Sequence, residues 1–308
     1  MVVNQKIVVF LLIGISILNF LIWSKNNYGT TPHFEELYSN LLPGDLDSNG
    51  TDRKLNEIRS KIDLLLKSKS SGTEDFQQLL QKMKTFSISQ VAVRKQTLAS
   101  IRSETQFAHL YGSLAPEVFC PQKVRIGTIG DGGKWVCNIW NVPRDTVLLS
   151  LGLNNFIGFE EEWQRITSNA NILYGVDVDE QSDLTKEKYS KLRGITKKAL
   201  ISEAYTIEDL AEEFKISEVE ILKIDIEGAE KTCLIPFLKK YQVCQIYLEV
   251  HGGAPEHAKL LREIAHLKYR LFAYEVNGYS MNACEYSFIH ESCLEKYGGI
   301  RIANYLDF

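Results

Sequence analysis

The sequence predicts an α/β domain built on a mainly parallel β-sheet, preceded by an N-terminal transmembrane helix and a helical stem. Beyond residue 120, apolar strand-like runs alternate with helical runs, which is typical of a parallel sheet covered by helices. An uncharged apolar segment stands near the N-terminus, and a stretch with linker and helical character separates it from the α/β part. These observations divide the chain into residues 1–24, 25–104 and 105–308.

Residues 1–24 are predicted to form a short cytoplasmic tail and a transmembrane signal anchor. Ile7 to Trp23 is a 17-residue run without a charged side chain, flanked by Lys6 and Lys25, and it is near the lower length limit for a membrane-spanning helix. A cleavable signal would end in small residues, whereas bulky and polar residues follow here. We expect a type II single-pass protein of the secretory pathway with its body in the Golgi or ER lumen. Cleavage of the segment would instead give a secreted protein.

Two features agree with a lumenal body. Asn49-Gly50-Thr51 is an N-glycosylation sequon in a stretch rich in Gly, Pro and Asn. The six cysteines all follow the apolar segment, and an even number in an oxidising compartment permits disulfides. Six reduced core thiols are the alternative, and the spacing does not define a pairing.

Residues 25–104 are predicted to be a stem of linker and helices. Four apolar residues from Leu55 to Leu65 recur at spacings of three and four, and a second helical pattern runs from about Ser87 to Leu110. The first pattern spans only two heptads. It therefore permits either a homodimer formed through the stem or a helix that packs on the globular domain.

The α/β part carries an excess of acidic residues. Residues 105–308 contain 22 Lys and Arg and 29 Asp and Glu, a net charge of −7. Nucleic-acid binding needs clustered basic side chains that contact phosphates. We therefore exclude nucleic acid as a partner.

The strands and helices of the α/β part follow one another in a regular order. "DTVLLSLG" predicts the first strand of the sheet and "EEEWQRITSN" the helix after it, and "NILYGVDVD" and "RGITKKALI" predict two more strands. "YTIEDLAEEFKI" is predicted to be a helix because Thr206 and Asp209 have the spacing of a capping box. "EILKIDIEGAE" then predicts a strand, "CLIPFLKKY" a helix and "CQIYLEV" a further strand.

Acidic side chains follow the predicted strands at their carboxyl ends. Such ends meet at one edge of a parallel sheet, where α/β proteins bind their ligands. Gly152 after the first strand and Asp177 on the second are 25 residues apart, and this pairing suits a nucleoside whose ribose hydroxyls donate to the acid. A dinucleotide fingerprint is missing, although Asn154 tolerates left-handed backbone and can replace a second glycine. The pattern therefore favours S-adenosylmethionine over a dinucleotide.

Several segments resemble a known methyltransferase family. "ILKIDIEGAE" contains the K-x-D-x-E-G-x-E core typical of FkbM-type methyltransferases. "KVRIGTIGDGGKWVCN", "LYGVDVD", "QIYLEVHG" and "LFAYEVN" with "CEYSFIH" are similar to the methyltransferase-like protein 24 group, anchored proteins with one lumenal methyltransferase domain. The resemblance covers about residues 105–308. It implies a Rossmann-like seven-stranded methyltransferase sheet whose last strand, "EYSFIH", is an antiparallel edge. The loop after the first strand departs from the pattern because it lacks a second glycine.

We predict five cofactor-binding residues: Gly152, Asn154, Asp177, Asp131 and Asp225. Asp131 lies in "GTIGDGGKW", which lacks the spacing of a phosphate-binding loop because a Trp follows its Lys. That stretch predicts a β-hairpin, and a lid over the cofactor is the functional alternative. Cys120 and Cys137 flank this hairpin, so a disulfide between them would fix it.

Asp225, Glu227 and His251 are the predicted catalytic residues. Asp225 would face the cofactor or the acceptor, while Glu227, Glu230, Glu249 or His251 would act as a general base or bind a divalent metal. No ligand spacing is distinctive enough to predict a metal site. The structural alternative is that Glu227 caps the helix that Gly228 opens, that Glu230 in its first turn interacts with the helix dipole, and that His251 is a hydrogen-bonded loop residue.

Two functions follow. The first is S-adenosylmethionine-dependent O-methylation of a small molecule or a glycan in the secretory lumen. The second is a catalytically inactive methyltransferase fold that acts as a membrane-anchored binding or scaffolding partner.

Overall fold

The computed structural model describes residues 60, 75–130 and 132–308. The predicted anchor, the sequon at Asn49, the apolar positions of the first stem helix and Asp131 lie outside these residues. Among the residues described, no helix combines the length and the apolar character that a membrane crossing needs. Residues 75–308 form one compact unit.

The described chain begins with helices that precede the sheet. Residues 75–89 are helical, and α1 (Val91–Ala99) and α2 (Phe107–Ser113) follow. Leu98 and Ile101 are buried in the same core as the strands of the sheet. Part of the predicted stem thus packs with the α/β domain, while the predicted boundary at residue 105 stays a prediction.

The α/β part contains eleven strands and six further α-helices among the described residues. In chain order these are β1 (Val118–Phe119), β2 (Lys123–Ile126), β3 (Lys134–Cys137), β4 (Val147–Leu151), α3 (Gly158–Thr167), β5 (Ile172–Asp177), α4 (Asp183–Lys191), β6 (Gly194–Lys198), α5 (Ile207–Glu213), β7 (Val219–Ile224), α6 (Glu230–Lys240), β8 (Val243–His251), α7 (Ala254–His266), β9 (Tyr269–Val276), β10 (Ala283–His290), α8 (Leu294–Tyr297) and β11 (Ile300–Arg301). The helix α5 begins with the predicted capping box, since the Thr206 hydroxyl accepts from the Asp209 N–H and the Asp209 carboxylate accepts from the Thr206 N–H.

Seven strands form one sheet in the order β6-β5-β4-β7-β8-β10-β9. Strands β4 to β8 are parallel, and β10 is antiparallel to both of its neighbours. The predicted seven-stranded, mostly parallel Rossmann-like sheet is therefore confirmed.

The predicted edge position of "EYSFIH" is wrong. This segment lies in β10, which is antiparallel as expected but is inserted between β8 and β9, so β9 is the edge. All eight residues of β10 are buried, which fits a strand with neighbours on both sides. Strand β9 is at the edge because β10, which follows it in the chain, pairs with both β9 and β8.

Apolar residues on both faces of the sheet explain its continuous hydrophobic runs. Leu148 of β4 and Ile221 of β7 pack with residues of α3, α4 and β3, while Leu149 and Leu222 pack with residues of α5, α6 and α7. Successive side chains of a strand point to opposite faces. A parallel sheet covered on both faces therefore needs apolar residues at consecutive positions.

Two disulfides link segments of the domain. Cys120 pairs with Cys137, and Cys244 pairs with Cys293, whereas Cys233 and Cys284 are free and buried. The alternative of six reduced thiols is thus wrong. Strands β2 and β3 form the predicted hairpin. The disulfide between Cys120 and Cys137 joins the segment between β1 and β2 to the last residue of β3.

Candidate active site

The loop after β4 is in direct backbone contact with the end of β7. Gly152 has a φ of +82°, and a Cβ atom there would lie 1.7 Å from the backbone oxygen of Asp225. The N–H of Gly152 donates to Val176 O at 2.8 Å, and the N–H of Asp225 donates to Leu151 O at 3.0 Å. Only a glycine fits this position, because both its conformation and the space around it exclude a side chain.

The same loop is fixed to the acidic end of β5. Asn154 and Asn155 have φ values of 44° and 60°, so Asn does occupy left-handed backbone where a second glycine was expected. The Asn154 N–H donates to Asp177 Oδ2 at 2.7 Å, and the Asp179 N–H donates to Asp177 Oδ1 at 2.9 Å. Each carboxylate oxygen retains a lone pair for a further donor. Gly152, Asn154 and Asp177 are therefore close together, and their role in cofactor binding stays a prediction.

Lys223, the Lys of the K-x-D-x-E-G-x-E core, contacts the loop after β4. It is 4% exposed, its Nζ donates to Gly152 O at 2.9 Å, and it lies 3.8 Å from Glu160 Oε1. Glu160 is fully buried and also accepts from the Ser150 hydroxyl. Lys223 is thus a positioning residue for the loop after β4, and the motif was the signal in the sequence that pointed to it.

The turn after β7 combines unusual backbone with a buried carboxylate. Glu227 and Gly228 have φ values of 54° and +104°. Glu230, fully buried at the start of α6, accepts from the Gly228 N–H at 2.8 Å and from the His251 N–H at 3.2 Å. Glu230 thus satisfies two backbone donors, and it joins the end of β7 to the end of β8.

Three of the singled-out residues form a compact cluster at the ends of β7 and β8. Asp225, Glu249 and His251 each offer one ligand atom, and these atoms all lie within 4.8 Å of one another. Glu227 lies at the outer side of this cluster, with a side chain that is 84% exposed and an Oε2 3.7 Å from His251 Nε2. The structure therefore brings Asp225 and His251 together with Glu249 and leaves Glu227 in solvent.

Carboxylates surround His251. Its Nδ1 lies 3.9 Å from Glu230 Oε1, and its Nε2 lies 3.7 Å from Glu249 Oε1. Glu230 is the main cause that raises the pKa of His251 to about 9, and Glu249, Glu227 and Asp225 add to it. The imidazole therefore carries a proton at neutral pH when only protein groups surround it.

Burial and like charges act on Glu249. Burial, Glu285 and Asp225 together raise the pKa of Glu249 to about 8, while Lys134 opposes them. Asn277 Nδ2 donates to its Oε1 at 3.4 Å. The Glu249 carboxyl thus binds a proton more readily than an exposed glutamate.

Lys134 and Glu285 belong to the same cluster, and sequence reasoning missed both. Lys134 of β3 is 1% exposed, donates to Glu285 of β10 and lies 4.0 Å from Glu249 Oε2. Burial acts to lower the pKa of Lys134, but Glu285, Asp225 and Glu249 outweigh it and raise that pKa. The available signal was a Lys at the start of the hairpin strand "KWVC", which marks an inward-facing charge in an apolar strand.

Among the residues that the structure describes, three buried polar atoms of this cluster lack a hydrogen-bond partner. They are Asp225 Oδ1, His251 Nδ1 and Glu285 Oε2. Buried polar atoms in folded proteins are nearly always paired. Their grouping at one point of the sheet edge indicates a place prepared for a bound group.

An open cavity of about 470 Å³ is lined in part by Gly252 and Gly253, the two residues that follow His251 in sequence. Its lining residues come from the start of α2 and the segment before it, from the segment after β8 and from the loop between β9 and β10: Glu104, Thr105, Phe107, Gly252, Gly253, Ser280, Met281 and Asn282. This volume lies in the range of small-molecule sites.

The β2–β3 hairpin packs against α3. The Gly127 N–H donates to Glu162 Oε2 of α3 at 2.7 Å. Arg125 donates to the backbone oxygens of Thr128 and Gly130 and forms an ion pair with Glu275. The hairpin is therefore anchored to the sheet, while its proposed role as a lid, with Asp131 at the cofactor, stays a prediction.

Comparison with known proteins identifies one matching family. The family model for the Methyltransferase FkbM domain matches residues 107–271, which is more than half of the chain. No curated protein matches the chain.

Solved structures similar to the chain include two fibrillarins. The Methanococcus jannaschii fibrillarin pre-rRNA processing protein shares 12% identity, with 56% of this chain and 84% of that chain covered and a TM-score of 0.35. The Aeropyrum pernix fibrillarin, in complex with natively bound S-adenosyl-L-methionine, is 9% identical, with 56% of this chain and 84% of that chain covered and a TM-score of 0.37. The precorrin-6y C5,15-methyltransferase from Geobacter metallireducens shares 10% identity over 50% of this chain and 84% of that chain, with a TM-score of 0.33.

Proposed function

The chain belongs to the FkbM methyltransferase family, and from this premise we propose that it O-methylates a small molecule or a glycan in the secretory lumen. Family membership makes the domain a methyltransferase, with S-adenosylmethionine as its cofactor. When bound, this cofactor supplies an electrophilic methyl group. The hydroxyl acceptor and the lumenal setting are our proposal.

The observation that carries the proposal is the buried, unpartnered Oδ1 of Asp225. Asp225 follows β7 at the centre of the sheet, and its backbone touches Gly152 of the loop after β4. A carboxylate oxygen shielded from water and without a protein donor favours a ligand that brings a donor or a positive charge. The cofactor's ammonium group or an acceptor hydroxyl has this chemistry, so the residues fit the cofactor.

The chain's own residues divide the remaining work. Asp177 would accept hydrogen bonds from ribose hydroxyls, and the loop containing Gly152 and Asn154 would approach the cofactor through its backbone. A hydroxyl acceptor must lose a proton as it is methylated. We propose that the carboxylate of Asp225 or of Glu249, which are neighbours at the ends of β7 and β8, receives this proton.

A lumenal body is supported by the two disulfides, since such bonds persist in oxidising compartments. We propose that residues 1–24 anchor the protein in the membrane and that the stem permits a homodimer. In a eukaryotic secretory host, Asn49 should carry a glycan, and glycosidase should shift the wild-type band but leave that of Asn49→Gln unchanged. Cytosolic protein without glycan would overturn the lumenal part of the proposal.

The test of methyl transfer begins with cofactor binding. The detergent-solubilised full chain is titrated with S-adenosylhomocysteine by calorimetry, alongside Asp225→Asn and the control Asp179→Asn, which changes an exposed carboxylate at the same sheet edge. We expect wild type and control to bind alike and Asp225→Asn to bind at least tenfold more weakly with an unchanged Tm. Absence of binding by the wild type would favour the inactive scaffold instead.

A further inference from the structure

We propose that Asp225, Glu249 and His251 form a binding site for a divalent transition-metal cation. The three side chains come from the ends of the neighbouring parallel strands β7 and β8, and one ligand atom from each lies within 4.8 Å of the others. Atoms bound to one metal at about 2.0–2.2 Å must lie within roughly 4.4 Å of one another. Only small side-chain movements would therefore be needed to coordinate a common ion.

The unpartnered atoms provide a second, independent observation. Glu285 is 9% exposed, and its Oε2 has no hydrogen-bond partner although its Oε1 accepts from Lys134. Glu285 stands directly opposite Glu249 in the β8–β10 register, so its free oxygen belongs to this cluster. Asp225 Oδ1 and His251 Nδ1 are also buried without a partner in the described part of the chain. A cation bound here would compensate the two carboxylate oxygens, Asp225 Oδ1 and Glu285 Oε2.

The carboxyl groups of the cluster favour the binding of a cation. Lys134 donates a hydrogen bond to Glu285 and lies 4.0 Å from Glu249 Oε2. Among the described residues, it is the lysine whose ammonium group lies in this cluster. Asp225, Glu249 and Glu285 bring three carboxyl groups to the surroundings of this ammonium group. Carboxylates crowded in a buried place are costly unless they are paired, and a divalent cation held by Asp225 and Glu249 would pair with them.

The donor set indicates the class of metal. Two carboxylate oxygens with one imidazole nitrogen suit first-row ions such as Mn²⁺ and Zn²⁺, whereas Mg²⁺ and Ca²⁺ prefer oxygen ligands throughout. Three protein ligands leave positions for water or for a ligand oxygen. Given the proposed function, on which this role rests, that oxygen would be the acceptor hydroxyl.

The experiment measures Mn²⁺ binding by electron paramagnetic resonance on the chelator-treated full chain, without cofactor. Asp225→Asn, Glu249→Gln and His251→Gln are compared with the control Asp179→Asn, and a Tm for each variant shows that it is folded. We expect one Mn²⁺ per chain, with affinity reduced at least tenfold in each of the three variants and unchanged in the control. If Glu249→Gln does not fold, Asp225→Asn, which changes a half-buried side chain, tests the same site.

Separate outcomes distinguish this inference from the proposed function. A wild type that binds S-adenosylhomocysteine but no Mn²⁺ overturns the metal site and leaves the methyltransferase proposal intact. A wild type that binds Mn²⁺ but no S-adenosylhomocysteine supports the metal site and removes its role in methyl transfer. Mn²⁺ binding that none of the three substitutions weakens overturns the assignment of the ligands.

Discussion

A Cβ atom on Gly152 would lie 1.7 Å from the backbone oxygen of Asp225. The loop after β4 and the end of β7 are thus held at a distance that only a glycine permits. Since Asp225 carries the unpartnered oxygen of the site, a side chain at residue 152 would displace the residue on which our functional proposal depends.

Gly152→Ala should therefore lower both stability and cofactor affinity. The new methyl group collides with backbone, which cannot rotate away, and the φ of +82° adds conformational strain. We expect a Tm decrease and at least a tenfold loss of S-adenosylhomocysteine affinity, measured by thermal unfolding and calorimetry. The control is Gly112→Ala on α2, where no atom lies within 4 Å of the new Cβ; it should be neutral or stabilising by about 0.5–1 kcal/mol. Equal behaviour of the two variants would refute the argument.

Asp177→Ala should weaken cofactor binding by roughly 1–3 kcal/mol, because ribose hydroxyls would lose a charged acceptor. The structure adds that Asp177 also holds the Asn154 N–H, so the loop after β4 should loosen as well. Calorimetry with S-adenosylhomocysteine measures the affinity, and Asp179→Ala is the matched control at the end of the same strand. Unchanged affinity in Asp177→Ala would remove this residue from the site.

Local patterns in the sequence were sufficient for most of the sheet. Alternating strand and helix runs predicted β4 to β8, and the capping box at Thr206 predicted the start of α5. The rule that parallel strands end at one edge then brought Gly152, Asn154 and Asp177 together. These inferences succeed because they depend on periodicity and on neighbours close in sequence.

Other features depend on pairing between distant segments. The insertion of β10 between β8 and β9 could not be read from "EYSFIH", since its antiparallel direction is compatible with an edge or an interior position. Lys134 and Glu285 are 151 residues apart in sequence and meet only because the hairpin packs on β10. The cluster around Asp225 was therefore predicted only for the part that β7 and β8 contribute.

Loss of the disulfides should destabilise the domain. In the chain-entropy description, bonds that close loops of 17 and 49 residues stabilise by about 3 and 4 kcal/mol. Cys244→Ala combined with Cys293→Ala should thus lower the denaturation midpoint more than Cys120→Ala combined with Cys137→Ala. Dithiothreitol should lower the midpoint of the wild type and leave that of the quadruple variant unchanged, although the quadruple variant keeps Cys233 and Cys284. A wild type insensitive to reduction would contradict the expectation.

Stability should fall in mild acid because of His257. This residue is fully buried, its Nδ1 lies 2.8 Å from Tyr286 Oη, and its Nε2 lies 3.3 Å from Asn282 O. Burial is the main cause that lowers the pKa of His257 to about 4, below the value of about 6.5 in the unfolded chain. Between pH 6.5 and pH 4 the unfolded state binds the extra proton, so this group's contribution is present above pH 6.5 and decreases by about 3 kcal/mol as the pH falls to 4.

The test compares unfolding free energies from pH 4 to pH 7 in wild type, His257→Gln and the control His266→Gln, which changes an exposed histidine on the same helix. Other groups titrate in this range, so the difference between each variant and the wild type is the relevant quantity. We expect His257→Gln to show a smaller loss of stability in acid and the control to follow the wild type. Parallel curves for all three proteins would show that His257 does not titrate between the two states.

Substitutions at Glu227 and at Gly228, the two residues of the turn after β7, should change the free energy of unfolding in opposite directions. Glu227 has a φ of 54°, which is unfavourable for a residue with a side chain, and its carboxylate is 84% exposed. Glu227→Gly should relieve that strain and leave the free energy of unfolding equal or higher, by up to about 1 kcal/mol. Glu227→Ala keeps the strained backbone and is the matched comparison for the lost side chain.

Gly228→Ala should instead destabilise the protein by about 1–2 kcal/mol. Its φ of +104° is the reason, because a Cβ atom there meets nothing closer than Lys231 Cε at 3.9 Å. The cost is thus purely conformational, and Gly228→Val should cost more, since a β-branched residue tolerates such backbone still less well. Urea unfolding of the four variants measures these changes. If Glu227→Gly lowers stability more than Glu227→Ala does, the turn gains from the side chain at residue 227, and the strain argument for this pair of residues is wrong.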